Sequence, residues 1–295
     1  DLCMAADPRV YVIGLGVPDP KGIFGTTAGL QAKYGPLRVM DMPCSEGAVM
    51  GIVTGSALVG MRPIMTHQRI DFALLAVEQI VNQAAKWHYM FGGKMNVPVV
   101  IRLLIGRGWG QGPQHSQSLQ AWFAHVPGLK VVMPATPHDA KGLLIASVED
   151  DNPVIFLEHR WLHNVAEDVP EGLYRVPLGE ARVARVGQDV TLVCTSYMVL
   201  EGLRAAETLA EVGIEAEVVD LRTLRPLDTA TILNSVRKTG RVVVVDTGHR
   251  SFGISAEIAA LAAEQAFDAL KAAPVRIALP DCPTPTSPAL AEHFY

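Results

Sequence analysis

Short apolar runs alternate with stretches whose apolar residues recur at a helical period, and the alternation persists along nearly the whole chain. The runs predict strands over 10–15, 38–42, 62–66, 97–104, 130–133 and 153–157. The 97–104 run is apolar almost without a break, as in a strand buried on both sheet faces. Leu74, Val77, Ile80, Val81, Ala84 and Ala85 fall near the 3.6-residue period and predict one long helix over 72–89. Further helices are expected over 26–33, from Glu46 onward, and over 139–149. Between 162 and 188 the character changes: Pro170, Gly172, Pro177, Gly179 and Gly187 punctuate a polar stretch that reads as a linker, with a weak strand signal over 181–186. Strands at 190–194, 215–220, 242–246 and 275–278 then alternate with helices at 199–212, 228–239 and 255–266. The pattern predicts an α/β protein with a parallel sheet covered on both faces. Two units are expected, 1–161 and 189–295, joined by the 162–188 linker.

Composition narrows the classes. Of 295 residues, 49% are hydrophobic and 19% charged, enough for large cores and against disorder. A net charge of −5 gives no general electrostatic reason to bind nucleic acid or an anionic membrane. The four cysteines, at 3, 44, 194 and 282, are too scattered for a zinc motif or a disulfide framework, and suit a reducing, cytoplasmic compartment. The longest apolar stretch, 47–65, contains Arg62 and Pro63 and reads as a helix followed by a strand, not as a membrane span. No signal peptide opens the sequence, and its abrupt ends suggest trimmed termini. Gly14-Leu15-Gly16-Val17-Pro18-Asp19 lacks the third glycine of a dinucleotide fingerprint, and neither a Walker A loop nor a nucleophile elbow is present. The histidines show no metal-ligand spacing of the H-E-x-x-H kind.

The remaining chemistry gathers at three expected strand ends. Glu46 opens a helix in which Gly47, Gly51 and Gly55 fall four apart on one face, suited to close approach of another backbone. A carboxylate there either rests on the helix macrodipole or makes one strong hydrogen bond in a partly dry crevice. Thr66-His67-Gln68-Arg69-Ile70-Asp71-Phe72 follows the 62–66 run, and Gln114-His115-Ser116-Gln117 follows the Gly-rich loop 106–112. In open parallel sheets, ligands collect beyond the carboxyl ends of the strands.

These segments resemble the β subunits of two-chain, thiamine-diphosphate-dependent E1 enzymes, the pyruvate, branched-chain 2-oxo acid and acetoin dehydrogenases. The likeness runs from about Arg9 to Tyr295. It is carried by Cys44-Ser45-Glu46-Gly47, by Asp71-Phe72 through Glu78-Gln79-Ile80-Val81-Asn82-Gln83-Ala84-Ala85-Lys86, and by His115-Ser116-Gln117. Pro127-Gly128-Leu129-Lys130-Val131-Val132, Asp139-Ala140-Lys141-Gly142-Leu143-Leu144 and Asp220-Leu221-Arg222-Thr223-Leu224-Arg225-Pro226 extend it. The resemblance implies a transketolase-like pyrimidine-binding domain followed by a transketolase C-terminal-like domain.

It also implies residue roles. Glu46 would hydrogen-bond the aminopyrimidine ring nitrogen of thiamine diphosphate, Phe72 would pack on that ring with Gln68 beside it, and His115 would steer the substrate or carry protons. No Gly-Asp-Gly followed by an Asn pair holds Mg²⁺ on a diphosphate here, so the resemblance implies an α partner, as α2β2, that supplies that half. A potassium ion would be held by backbone at Val99, Ser147, Asp150 and Asn152. The chain departs from the family at His67 and Arg69, and at Leu103-Leu104, Arg107 and Trp109. Arg69 and His67 are therefore expected to read an anionic substrate group, with a surface or intersubunit salt bridge as the other reading of the arginine. A lipoyl carrier, on an acyltransferase core, would take the acyl unit. Two other classes stay open: a split transketolase-like enzyme moving a ketol unit between sugars, and a non-catalytic assembly subunit.

Overall fold

The computed structural model describes residues 1–106 and 111–294; Arg107 and Trp109, singled out above, lie outside the described residues. The first half supplies β1 (Val10–Ile13), β2 (Val39–Met40), β3 (Arg62–His67), β4 (Val100–Ile105), β5 (Lys130–Val132) and β6 (Val154–His159). The second supplies β7 (Arg182–Arg185), β8 (Val190–Cys194), β9 (Ala216–Asp220), β10 (Thr223–Arg225), β11 (Val242–His249) and β12 (Val275–Leu279). Among the described residues they form a seven-stranded sheet, β10-β5-β6-β4-β3-β1-β2, and a five-stranded sheet, β12-β11-β8-β9-β7. Both are parallel apart from β10 in the first and β7 in the second. The α/β expectation holds.

β4 is buried at every residue, as its apolar run requires. Its one charge, Arg102, survives there because Glu158 of β6 meets it in a two-pronged pair, Nε to Oε1 at 2.5 Å and Nη2 to Oε2 at 2.6 Å. Arg102 holds the Glu158 carboxyl down at about 2 despite the opposing effect of burial. Helix ends follow the sequence. The Pro137–Glu149 helix starts with proline in its first turn, and Thr136 Oγ1 accepts from the Asp139 N–H at 3.1 Å. The Thr229–Thr239 helix is capped by Asp228 and stops at Gly240, φ +73°.

The helix expected over 26–33 is confined to Leu30–Tyr34, and two expectations change more deeply. The helix expected over 72–89 is broken into Ile70–Ala73, a 3₁₀ turn Leu74–Ala76, a π-helix Gln79–Ala84, and Trp87–Met90. Its backbone is pressed from two sides. The Glu46–Leu58 helix approaches at Leu75 and Gln79. Gly128 lies against Ala85, where a Cβ would stand 1.9 Å from the Ala85 carbonyl oxygen. The Ala85 N–H then reaches back five residues to Ile80 O. The second change is β10. It leaves the sheet of its own half and pairs antiparallel with β5, Thr223 opposite Val132. At this junction Arg222 grips the wholly buried Asp139 with Nε at 2.9 Å and Nη2 at 2.8 Å. One apolar core runs across it, joining Leu129 and Val131 to Leu221 and Leu224. Among the described residues no helix is long and apolar enough to cross a membrane.

Candidate active site

The carboxyl ends of β2, β3 and β4 open on one edge of the first sheet, where β4, β3, β1 and β2 lie in that order. Glu46 is the first residue of the Glu46–Leu58 helix beyond β2, and only 7% of it is exposed. Ser45 before it offers no side-chain cap, so the acid at this N-terminus is favoured by the helix dipole. The glycine face splits in two. A Cβ at Gly47 would stand 3.0 Å from Leu75 O and one at Gly51 3.4 Å from Gln79 Oε1, so these positions serve close packing within the chain. Gly55 faces open space, beside the exposed Ile52 and Val59.

β3 ends at His67 and turns through Gln68 and Arg69 into the short Ile70–Ala73 helix. Gln68 Nε2 donates to Leu15 O at 3.2 Å, which ties this turn to the end of β1. Phe72, half-buried, meets the His115 ring edge-on, with centroids 5.4 Å apart at 79°. Asp71 accepts from Gln117 Nε2 at 2.7 Å through Oδ1, while its buried Oδ2 has no partner among the described residues. Burial pushes the Asp71 carboxyl up, and the Gln117 hydrogen bond pulls against that. His67 is 4% exposed, its Nε2 has no partner among the described residues, and burial drives its pKa down to about 4. Arg69 is 2% exposed; Nη1 donates to Gly106 O at 2.9 Å, Nη2 contacts Gln111 Oε1, and its guanidinium stands 5.5 Å from the centre of the Phe24 ring.

Sequence reasoning therefore finds the side chains that share this edge, Glu46, Gln68, Phe72 and His115, but misses what fixes them. Asp71 and Gln117 are visible in the motifs only as neighbours of more familiar residues. Gly106 is visible as a loop glycine. Its reason lies in β6: a Cβ at Gly106 would stand 2.4 Å from His159 Nε2, and its φ is +76°. His159 in turn stacks on Tyr197 of the second half, centroids 5.1 Å apart. A cavity of about 480 Å³ lies behind this point, lined by Gly106, His159, Tyr197 and Asp246 among others. None of Glu46, Phe72 and His115 lines it.

Val99, Ser147, Asp150 and Asn152 gather at the far end of the same sheet, around the C-terminus of the Pro137–Glu149 helix. Val99 O accepts from Val154 N at 2.9 Å. Ser147 Oγ donates to Leu143 O at 2.7 Å, and Asn152 Nδ2 donates to Asp150 Oδ1 at 2.9 Å. The carbonyls of Val148 and Asp150 both accept from Arg62 Nη1, at 3.0 and 3.1 Å, and Lys130 contacts the Asp150 carboxylate. A helix C-terminus attracts cations, and two side-chain cations already attend this one.

Comparison with known proteins matches the same two halves. The family described as "Transketolase, pyrimidine binding domain" fits residues 1–164, and "Transketolase, C-terminal domain" fits residues 179–295. The acetoin:2,6-dichlorophenolindophenol oxidoreductase subunit beta of Cupriavidus necator is 49% identical over 99% of this chain and 89% of its own length. The pyruvate dehydrogenase E1 component subunit beta-1, mitochondrial, of Arabidopsis thaliana is 46% identical over 96% of this chain and 79% of its own. The acetoin oxidoreductase subunit beta of Bacillus subtilis is 44% identical over 92% and 80%. A solved structure described as a split gene transketolase, inactive beta4 tetramer, shares the fold at TM-score 0.79 and 24% identity, over 99% of this chain and 89% of that one. With both halves matched by domain families and relatives this similar along nearly its whole length, the chain belongs to the transketolase family, among the E1-type β subunits of two-chain thiamine-diphosphate enzymes.

Proposed function

We infer that this chain is the β subunit of a thiamine-diphosphate-dependent enzyme that decarboxylates a 2-oxo acid and passes the acyl unit to a lipoyl carrier. One observation carries the reading: the buried Glu46 carboxylate opens a helix on the same sheet edge that presents the Phe72–His115 pair. The names of the relatives support the reaction class, since they are subunits of pyruvate and acetoin enzymes. The residues present suit the aminopyrimidine half of the cofactor: a carboxylate out of water, an aromatic face half free, and unpartnered polar atoms on His67 and Asp71. When bound, thiamine diphosphate supplies a nucleophilic carbon and an electron sink that no side chain provides.

The protein's own part is orientation and proton handling. Glu46 would hold the aminopyrimidine nitrogen by a hydrogen bond, strengthened by the low dielectric around it. Phe72 would pack on the ring, and Gln68 would lie beside it. His115, set edge-on to Phe72, steers the substrate carboxylate or moves a proton at the reacting carbon. His67 is neutral at neutral pH, so a contact from it is that of a neutral imidazole. The diphosphate and its Mg²⁺ fall to an α partner, because this sequence carries no loop for them. A potassium ion at Val99, Ser147, Asp150 and Asn152 remains part of the proposal, and no step of the reaction uses it. The reducing-compartment cysteines support a cytoplasmic location.

Glu46→Gln tests the assignment. Co-expressed with its α partner, the variant should keep the parent's melting temperature and assembly and lose at least about 100-fold in kcat, the scale of one general acid–base contribution. Turnover within a few-fold of the parent would sink the reading.

A further inference from the structure

The loop that carries His115 leaves β4 at Gly106 and returns at Gln117, where the Gly106 N–H meets Gln117 O at 3.3 Å. Both ends are also held from one side by the turn after β3. Arg69 Nη1 donates to Gly106 O at 2.9 Å, and Nη2 contacts Gln111 Oε1. Asp71 Oδ1 accepts from Gln117 Nε2 at 2.7 Å. Ile70, between the two, is wholly buried and pins the turn. The next residue, Phe72, makes the edge contact with His115. One four-residue turn thus carries the ring that meets the His115 imidazole and both groups that hold its loop.

We propose that Arg69 and Asp71 are positioning residues, a two-point clamp that sets where His115 stands. The proposal rests on the catalytic reading of His115 given above. Arg69 is suited to this and poorly placed to reach a ligand. It is 2% exposed, the Phe24 ring backs its guanidinium, and both terminal nitrogens are engaged by the loop. A charged donor to a carbonyl makes a stronger bond than a neutral one, and the fork spans two points of the loop where an ammonium could serve one. Catalytic groups have little tolerance: a displacement of about 1 Å is enough to cost roughly 100-fold in rate.

The test uses the assembled complex with its α partner and two readouts. Hydrogen exchange of the peptide spanning 111–119 reports loop opening. In Asp71→Ala it should speed up roughly tenfold, the effect of losing one hydrogen bond to a charged group, with exchange in the second half unchanged. Gln117→Ala should match it, and the double variant should add nothing further, because both remove the same bond. Asp71→Asn keeps the acceptor and should restore the slow exchange. In steady-state kinetics Arg69→Met should lower kcat with KM for the 2-oxo acid held, and Arg69→Lys should recover only part of it. Unchanged exchange in Asp71→Ala would overturn the clamp. So would an Arg69→Met enzyme whose KM rises tenfold with kcat kept, which is the signature of an arginine that reads the substrate anion. If instead His115→Ala turns over like the parent, the catalytic reading of His115 fails while the exchange data still judge the clamp.

Discussion

Burial holds His67 and His159 neutral, drawing their pKa values from 6.5 down to about 4 and about 3. His159 Nδ1 accepts from the Trp161 N–H at 3.3 Å, so its proton sits on Nε2, the nitrogen that faces Gly106. An unfolded histidine takes up its proton near 6.5, before either folded one does. As pH falls from about 6.5 to 4, each therefore costs the native state about 1.4 kcal/mol per pH unit. Asp220 works the other way. Burial raises its carboxyl from 3.8 to about 6, so between those values the native state holds the extra proton and gains stability as pH falls. Asp71 and Asp246, raised by burial too, act in the same sense as Asp220, so the histidine contribution is isolated by mutation. His67→Phe keeps a ring and removes the titration, so the difference between its urea midpoint and the parent's should shift in the variant's favour from pH 7.5 to pH 5. Equal changes in the two proteins would mean that His67 is not held neutral in the folded chain.

Among the elements, the turn from β4 into the His115 loop is tightly specified. Gly106→Ala would force a side chain to φ +76° and place Cβ 2.4 Å from the His159 ring. The left-handed backbone and the overpacking together should cost roughly 2–4 kcal/mol, read as a lowered urea midpoint. Gly55→Ala is the contrast: it meets nothing within 4 Å in a helix interior, and should gain up to about 1 kcal/mol. Equal effects from the two would show that the loop does not rest on His159. Much of this layer is legible in the chain. The 190–194 run becomes β8 without a shift, and the Glu46 helix starts where the Ser45-Glu46-Gly47 pattern sets it. Periodicity shows which face of 72–89 is buried, but not that Gly128 would press on Ala85 and shift the hydrogen bonds into π register. β10 escapes because a three-residue strand has no period of its own. The clamp escapes for a further reason. Its bonds join residues 37 and 46 positions apart, and only the folded sheet brings them together.

At the scale of the whole molecule, the site occupies an edge. Glu46, Phe72 and His115 stand at the carboxyl ends of strands in the first sheet, and no sequence in this chain matches a Mg²⁺-diphosphate loop. Along the helix that Glu46 opens and the turn packed against it, Ile52 is 67% exposed, Leu75 69% and Val59, at the helix C-cap, 82%. Exposed apolar side chains of this kind suit contact with another protein. In the proposed site the contacts this chain would offer an aminopyrimidine, one hydrogen bond and one ring face, would be worth about 2–4 kcal/mol together, against the roughly 8 kcal/mol that micromolar binding requires. The charged end of the cofactor must supply the difference, and it does so only where a metal and its ligands are present. Titration calorimetry should then show weak or undetectable binding of thiamine diphosphate with Mg²⁺ to the isolated chain, and tight, Mg²⁺-dependent binding to the assembled complex. In the complex, Phe72→Ala should weaken that binding while leaving its Mg²⁺ dependence intact, because the ring contact and the metal act on opposite ends of the cofactor. Tight, Mg²⁺-dependent binding to the isolated chain would refute the divided site and require a complete cofactor site within these two sheets.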